Sequence, residues 1–124
     1  MSNKRGTAYI LQEPMKKDFT TGMMVPVMDL RKVIDYGDPV IVLQSGRISL
    51  TPGPTIDRIY DVMRDFCDDD FIVPIGDPSG IAILASVASH INNGKYRLLK
   101  WDKTRSEYIC VNIDIFYRTR KPLE

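Results

Sequence analysis

This 124-residue chain is poor in the side chains most used for metal, redox and imidazole chemistry: it has one histidine, one tryptophan and two cysteines. With His90 as the sole imidazole, neither a multi-histidine metal site nor a histidine-based catalytic centre is indicated. His90 lies near the end of an apolar stretch, where it suits a helix boundary or a contact with a helix dipole. Cys67 and Cys110 are far apart and have no histidine at a recognisable spacing, so no thiol nucleophile is indicated. Two buried free thiols in a reducing cytosol fit them better than a disulfide. Long apolar runs are missing too. The longest, Ile81 to Val87 and Ile72 to Ile75, fall far short of the roughly 20 residues that a membrane-spanning helix needs. No apolar stretch of signal-peptide length follows Lys4 and Arg5, so a cytoplasmic location without membrane contact is expected. Net charge is nearly absent, at +1.

What is present suits a globular domain. Hydrophobic residues make up 44% of the chain and charged residues 27%, enough to build a core and to cover it. The length fits one domain over 1–124, with Leu123-Glu124 set aside as a tag-like scar. The small net charge conceals a polarised chain. Asp35 to Asp77 holds nine acidic and three basic residues, whereas Lys95 to Lys121 holds eight basic and three acidic ones. Such asymmetry bears on partners rather than on fold.

Apolar periodicity sets the expected elements. Thr7 to Gln12 reads as a short strand ended by Pro14, and Met15 to Gly37 as an irregular segment with one helical turn near Met28 to Val33. Pro39 to Gln44 is a continuous apolar strand. After the turn chemistry of Thr51 to Thr55, residues Ile56, Ile59, Tyr60, Met63, Phe66 and Cys67 form one helical stripe. Phe71 to Ile75 is apolar on both faces, as a covered strand should be. Asp77 and Pro78 open a second helix that runs to Ile91 and stops at Asn93-Gly94. Tyr96 to Trp101 and Glu107 to Tyr117 then read as a β-hairpin, with Ile109, Val111, Ile113 and Ile115 on a buried face. The expected fold is a single compact α/β domain: a mixed four- to five-stranded sheet, two main helices and a C-terminal hairpin. Leu84, Ala88, Val73, Ile113 and Ile41 are its expected core.

Three segments invite a functional reading. The turn Gly76-Asp77-Pro78-Ser79-Gly80 joins a strand to a helix, where free amides and the dipole attract anions. It lacks the lysine of a phosphate loop and the three-glycine dinucleotide pattern, and Asp77 would repel phosphate. A helix cap in a tight turn explains it as well as a ligand site of Gly76, Asp77, Ser79 and Gly80 with Asp35 or Asp38 nearby. The carboxylates Asp65, Asp68, Asp69 and Asp70 do not match the spacing of a calcium loop and read as a solvated acidic turn, or as a contact for a basic partner. The C-terminal hairpin interleaves Lys100, Lys103, Arg105, Arg118 and Arg120 with Trp101 and Tyr108. Cations attract phosphates and exposed aromatic rings stack on bases, so this composition suits nucleic acid or an acidic protein patch. Lysine and arginine are also ordinary on an edge strand.

The motifs Arg64-Asp65-Phe66, Asp68-Asp69-Asp70-Phe71, Gly76-Asp77-Pro78, Ile91-Asn92-Asn93-Gly94 and Leu98-Leu99-Lys100-Trp101-Asp102, followed by Tyr108, occur in that order. Over roughly residues 38–112 the chain resembles small, mostly uncharacterised accessory proteins of tailed bacteriophages. The resemblance implies a phage protein acting in host cytoplasm and brings no catalytic residues. No catalytic constellation is complete, and no metal or cofactor is indicated. The expected function is therefore a non-enzymatic protein that binds nucleic acid or a host or viral protein through charged surfaces. The alternative is a small-ligand or nucleotide-binding protein that uses the Gly76 to Gly80 turn.

Overall fold

A computed structural model describes residues 5–13, 15–26 and 30–120. Pro14, Met28 and the Leu123-Glu124 pair lie outside the described residues. Strand β1 (Thr7–Ile10) is followed by two three-residue strands, β2 (Met15–Lys17) and β3 (Met24–Pro26), and by a 3-10 helix (Arg31–Asp35). Then come β4 (Asp38–Ile41), α1 (Gly53–Val62), β5 (Phe71–Val73) and α2 (Pro78–Ile91). The antiparallel hairpin of β6 (Lys95–Asp102) and β7 (Glu107–Asp114) precedes a short α3 (Tyr117–Arg120).

The main sheet has five strands in the order β4-β1-β5-β6-β7. β1 pairs in parallel with β4 and with β5, and β5 pairs in parallel with β6. With β1 between its two successors, the order reverses between β1 and β5, and the crevice at the carboxyl ends of those strands is where such sheets bind ligands.

The core has two halves, one on each face of the sheet. On one, Tyr9, Leu11, Val42 and Ile72 meet Ile59, Met63 and Phe66 from α1 and the turn after it, together with Leu84, Val87 and Ala88 of α2. On the other, Ala8, Ile10, Phe71, Val73, Leu99 and Tyr108 meet Val33 of the 3-10 helix. A fully buried side chain of this kind contributes roughly 1.5 to 3 kcal/mol. Leu84, Ala88 and Val73 are buried, as their periodicity predicts.

Several expectations are corrected. The segment from Met15 to Gly37 is not irregular throughout, because β2 and β3 form an antiparallel hairpin around a turn from Asp18 to Gly22. α1 ends at Val62, so Met63 and Phe66 fill the core from the following turns. Ile41 is 42% exposed, because edge strand β4 turns Val40 and Val42 to the helices and Ile41 to the thinly covered face. Ile109 and Val111 are 40% and 37% exposed and Ile113 is half-buried, because α2 packs over β6 rather than over β7. The buried residue of β7 is Tyr108, packed edge-on against Trp101 with ring centroids 5.0 Å apart. Cys67 and Cys110 are exposed free thiols, and Asp70 is buried rather than solvated.

Candidate functional site

At the carboxyl edge of the sheet, three loops are tied together by two side chains. Gln12, just beyond β1, is buried. Its Nε2 donates to the carbonyls of Gln44 and Gly46 at 2.8 Å each, and its Oε1 accepts from the Asp77 amide at 2.8 Å. Asp77 caps α2: one carboxylate oxygen accepts from Ser79 N–H at 2.8 Å, and the other from Ile48 N–H at 3.3 Å. These amides, Ser79 first and then Ile48, hold the Asp77 carboxyl below its ordinary range. Gly76 has φ +137°, and a Cβ there would lie 2.5 Å from Gln12 Oε1. A Cβ on Gly80 would lie 2.8 Å from Leu11 and 3.2 Å from Ile48. Both glycines allow close packing that any side chain would disrupt. In the residues singled out at this turn, Asp77 is engaged as a cap and Gly80 is buried against Leu11, so α2 presents no vacant helix start to an anion.

The other helix start at this edge is different. Pro52 at the N-cap of α1 makes no side-chain cap, and because Pro54 has no N–H the first three helical residues offer only the Gly53 and Thr55 amides. Beside it opens a crevice of about 590 Å³, lined by Thr55, Ser49, Arg47 and Arg58 as well as by Gln12. Arg47 and Gln12 also line a neighbouring crevice of about 320 Å³ that reaches Gly76 and Asp77 at the strand-order reversal. No carboxylate among the described residues pairs with Arg47 or Arg58. Asp35 and Asp38 are remote from this site, since Asp38 pairs with Thr7 at the amino end of β1.

The basic residues of the C-terminal region divide between the two ends of β6. Lys103 and Arg105 are exposed at the hairpin turn, on the carboxyl edge, and exposed Lys100 precedes them within β6, opposite Ile109. Lys32 joins them, donating to the Ser106 carbonyl at 2.7 Å and lying 5.7 Å from the Trp101 ring centre. Trp101 is half-buried, and buried Tyr108 has no exposed ring face for stacking on a base. Arg118 and Arg120 stand on α3, at the amino edge. Arg120 pairs with Asp114 and donates to the Asn93 carbonyl at 2.8 Å, and it is the first cause of the lowered Asp114 titration. The predicted basic surface is therefore not continuous.

At the amino edge most charged groups are engaged within the fold. Asp70 accepts from the Thr7 and Cys67 amides at 2.8 and 2.9 Å. Arg97 stacks over Phe71 at 3.8 Å, and Asn92 donates to Asp68 at 2.8 Å. These groups line a recess of about 270 Å³. A hydrogen bond with the Asp69 backbone lowers the Cys67 titration, but desolvation and the negative Asp70 outweigh it and the thiol is pushed up, unlike an activated thiolate. His90 Nδ1 lies 2.7 Å from the Tyr60 hydroxyl, on the outer side of the helical layer.

Among the described residues no group of His, Cys, Asp or Glu is arranged to hold a metal ion, and no helix is long and apolar enough to cross a membrane. The crevice residues Gln12, Arg47 and Arg58 are not legible as a site in the sequence, because they come from three separate segments without a motif. The faint signal is the turn chemistry of Thr51 to Thr55, which opens a helix without a capping side chain. Comparison with curated proteins and with solved structures returns no match. A family model does match, and it takes in most of the first third of the chain, which the short motifs left out. The chain belongs to the phage Pam3 gp32-like protein family, whose model covers residues 6–115.

Proposed function

We propose that this phage protein is an accessory binding protein of the host cytoplasm that takes a phosphate-bearing small ligand into the crevice at the carboxyl edge. The observation that carries the reading is that Arg47 and Arg58, which pair with no carboxylate among the described residues, both line the crevice beside the start of α1. A guanidinium offers planar, paired donors that match phosphate oxygens, and the Gly53 and Thr55 amides at the start of α1 add to the attraction. The test is calorimetric titration with inorganic phosphate and with nucleoside mono- and diphosphates. Arg47→Ala and Arg58→Ala should each weaken binding by roughly tenfold, as the loss of one charge-assisted contact implies. Binding that is unchanged in both variants, or no binding by the unaltered chain, overturns the reading.

A second reading is favoured by Lys32, Lys103 and Arg105 at the hairpin turn, with Lys100 before them on the other face of β6. There the protein binds a macromolecule, either nucleic acid or an acidic patch of a host or viral protein. Lys103→Glu with Arg105→Glu should abolish binding of oligonucleotides at about 50 mM salt, and the unaltered chain should bind far more weakly at about 200 mM. If no oligonucleotide binds at the lower salt, nucleic acid is excluded and the acidic protein partner is what this reading retains.

A further inference from the structure

The two outer edges of the main sheet are built differently. Edge strand β4 has four residues, contains Pro39, and opens with Asp38 paired to Arg5 at 2.9 Å. Short length, proline and charge are the usual protections of an exposed strand edge. Edge strand β7 has eight residues, Glu-Tyr-Ile-Cys-Val-Asn-Ile-Asp, with no proline, glycine or basic residue. No strand among the described residues pairs with its outer side. Its helix-side face presents Ile109, Val111 and Ile113, and exposed Ile115, Phe116 and Tyr117 extend the apolar surface past its end.

We propose that β7 pairs with β7 of a second copy of this chain, antiparallel about a two-fold axis, so that two five-stranded sheets become one. Residues directly opposite in an antiparallel pair point to the same face. A two-fold axis through Val111 therefore sets Ile109 opposite Ile113 of the second copy, Val111 opposite its own counterpart, and Cys110 opposite Asn112. From Ile109 to Ile113, apolar side chains meet apolar ones on one face and polar meet polar on the other, as a self-complementary interface requires, while at the strand ends Glu107 faces Ile115 and Tyr108 faces Asp114. Shifting the pairing by one residue would set each apolar residue opposite a polar one.

The charges agree with the same register. Glu107 falls opposite Ile115 of the second copy, at the end of the strand where exposed Arg118 follows. Asp114 is already paired with Arg120, so no unpaired carboxylates are brought together. Isoleucines and valine also extend the uncovered apolar face of β7 across the junction. A partner of different sequence would have to supply the alternation that a second copy already has.

Sedimentation of the full chain over a concentration series tests the proposal. The expected species has twice the 14.1 kDa of the chain. Val111→Lys, which sets two ammonium groups opposite each other, should leave only monomer that keeps the circular dichroism spectrum of the folded chain and has lost any dependence of its melting temperature on concentration. A second measurement does not depend on that substitution. In a Cys67→Ser background, the two copies of Cys110 are diagonal neighbours, about 7 to 8 Å apart. A short bis-maleimide should join them into a covalent dimer. A chain that sediments as a monomer at every concentration overturns the proposal. So does a dimer that persists in Val111→Lys or that cannot be joined through Cys110, since it must use another surface.

Discussion

The amino and carboxyl edges of the sheet carry similar kinds of side chain to opposite ends. At the amino edge, Asp70, Arg97, Asn92 and Arg120 are bonded to other parts of the fold and hold the starts of β1, β5 and β6 in place. At the carboxyl edge the holding is done by Gln12 and Asp77, while Arg47 and Arg58 line a crevice and pair with no carboxylate among the described residues. The recess at the amino edge has both signs of charge and internal bonds among them. The lesson is that charge counted along the chain does not locate a site. The acidic stretch from Asp35 to Asp77 contains the two arginines of the candidate site, and the basic C-terminal stretch contains Arg120, which is engaged in structure.

This contrast can be broken by measurement. The largest loss belongs to neither edge and sets the scale. Leu84→Ala removes a fully buried side chain beneath the sheet and should cost about 2 to 5 kcal/mol in urea unfolding. A loss below about half a kcal/mol would place α2 outside the core, against the typical cost of a buried leucine. Next comes Asp70→Ala at the amino edge, which strands two backbone amides and should cost about 3 kcal/mol. If that variant is as stable as the parent, the amino edge is not held by its charged groups and the comparison collapses.

Asp77→Ala should give a smaller drop in the urea midpoint, and its pH dependence sharpens the assignment. The folded carboxyl titrates below its ordinary value of 3.8, so its contribution is fully present above that value and is lost as pH falls through the lower folded one. The gap between parent and variant should therefore close in acid, and Asp77→Asn, which retains a capping oxygen, should recover most of it at neutral pH. A gap that persists unchanged in acid would deny the carboxylate its capping role. Smallest of all, Arg47→Ala and Arg58→Ala should change stability by no more than about half a kcal/mol. A larger loss would move these arginines from the ligand site to the framework.

Much of the fold is legible in the sequence where burial follows from local pattern. The apolar stripe of α2, its Asp77 cap and the strands around Ile10 and Ile72 are of this kind. The failures arise where burial depends on which neighbour covers a face. The alternation of Ile109, Val111 and Ile113 correctly marks a strand but not its solvent side, because α2 stops over β6. Tyr108 reads as a surface aromatic in a basic segment, yet the apolar face to which Val33 contributes buries it. Asp70 reads as one of four solvated carboxylates, yet it accepts from the Cys67 amide beside it and from the amide of Thr7, which is distant in sequence. The candidate crevice was least legible, since it is assembled by the strand order rather than by any contiguous run.

The amide of Gln12 has a consequence for how the carboxyl edge moves. Both of its protons and its oxygen are engaged, each by a different backbone group: Gln44, Gly46 and Asp77. One side chain thus fastens the loops after β4 and β5 to the end of β1. Conformational freedom in those loops is given up during folding, so little remains to be lost when a ligand enters. Glutamate at position 12 would preserve the shape but offer no proton to the two carbonyls. The loop after β4 would then come loose from the end of β1, and the Ile48 amide would exchange its hydrogen with solvent sooner than in the parent, while the Asp77 amide keeps its acceptor at position 12.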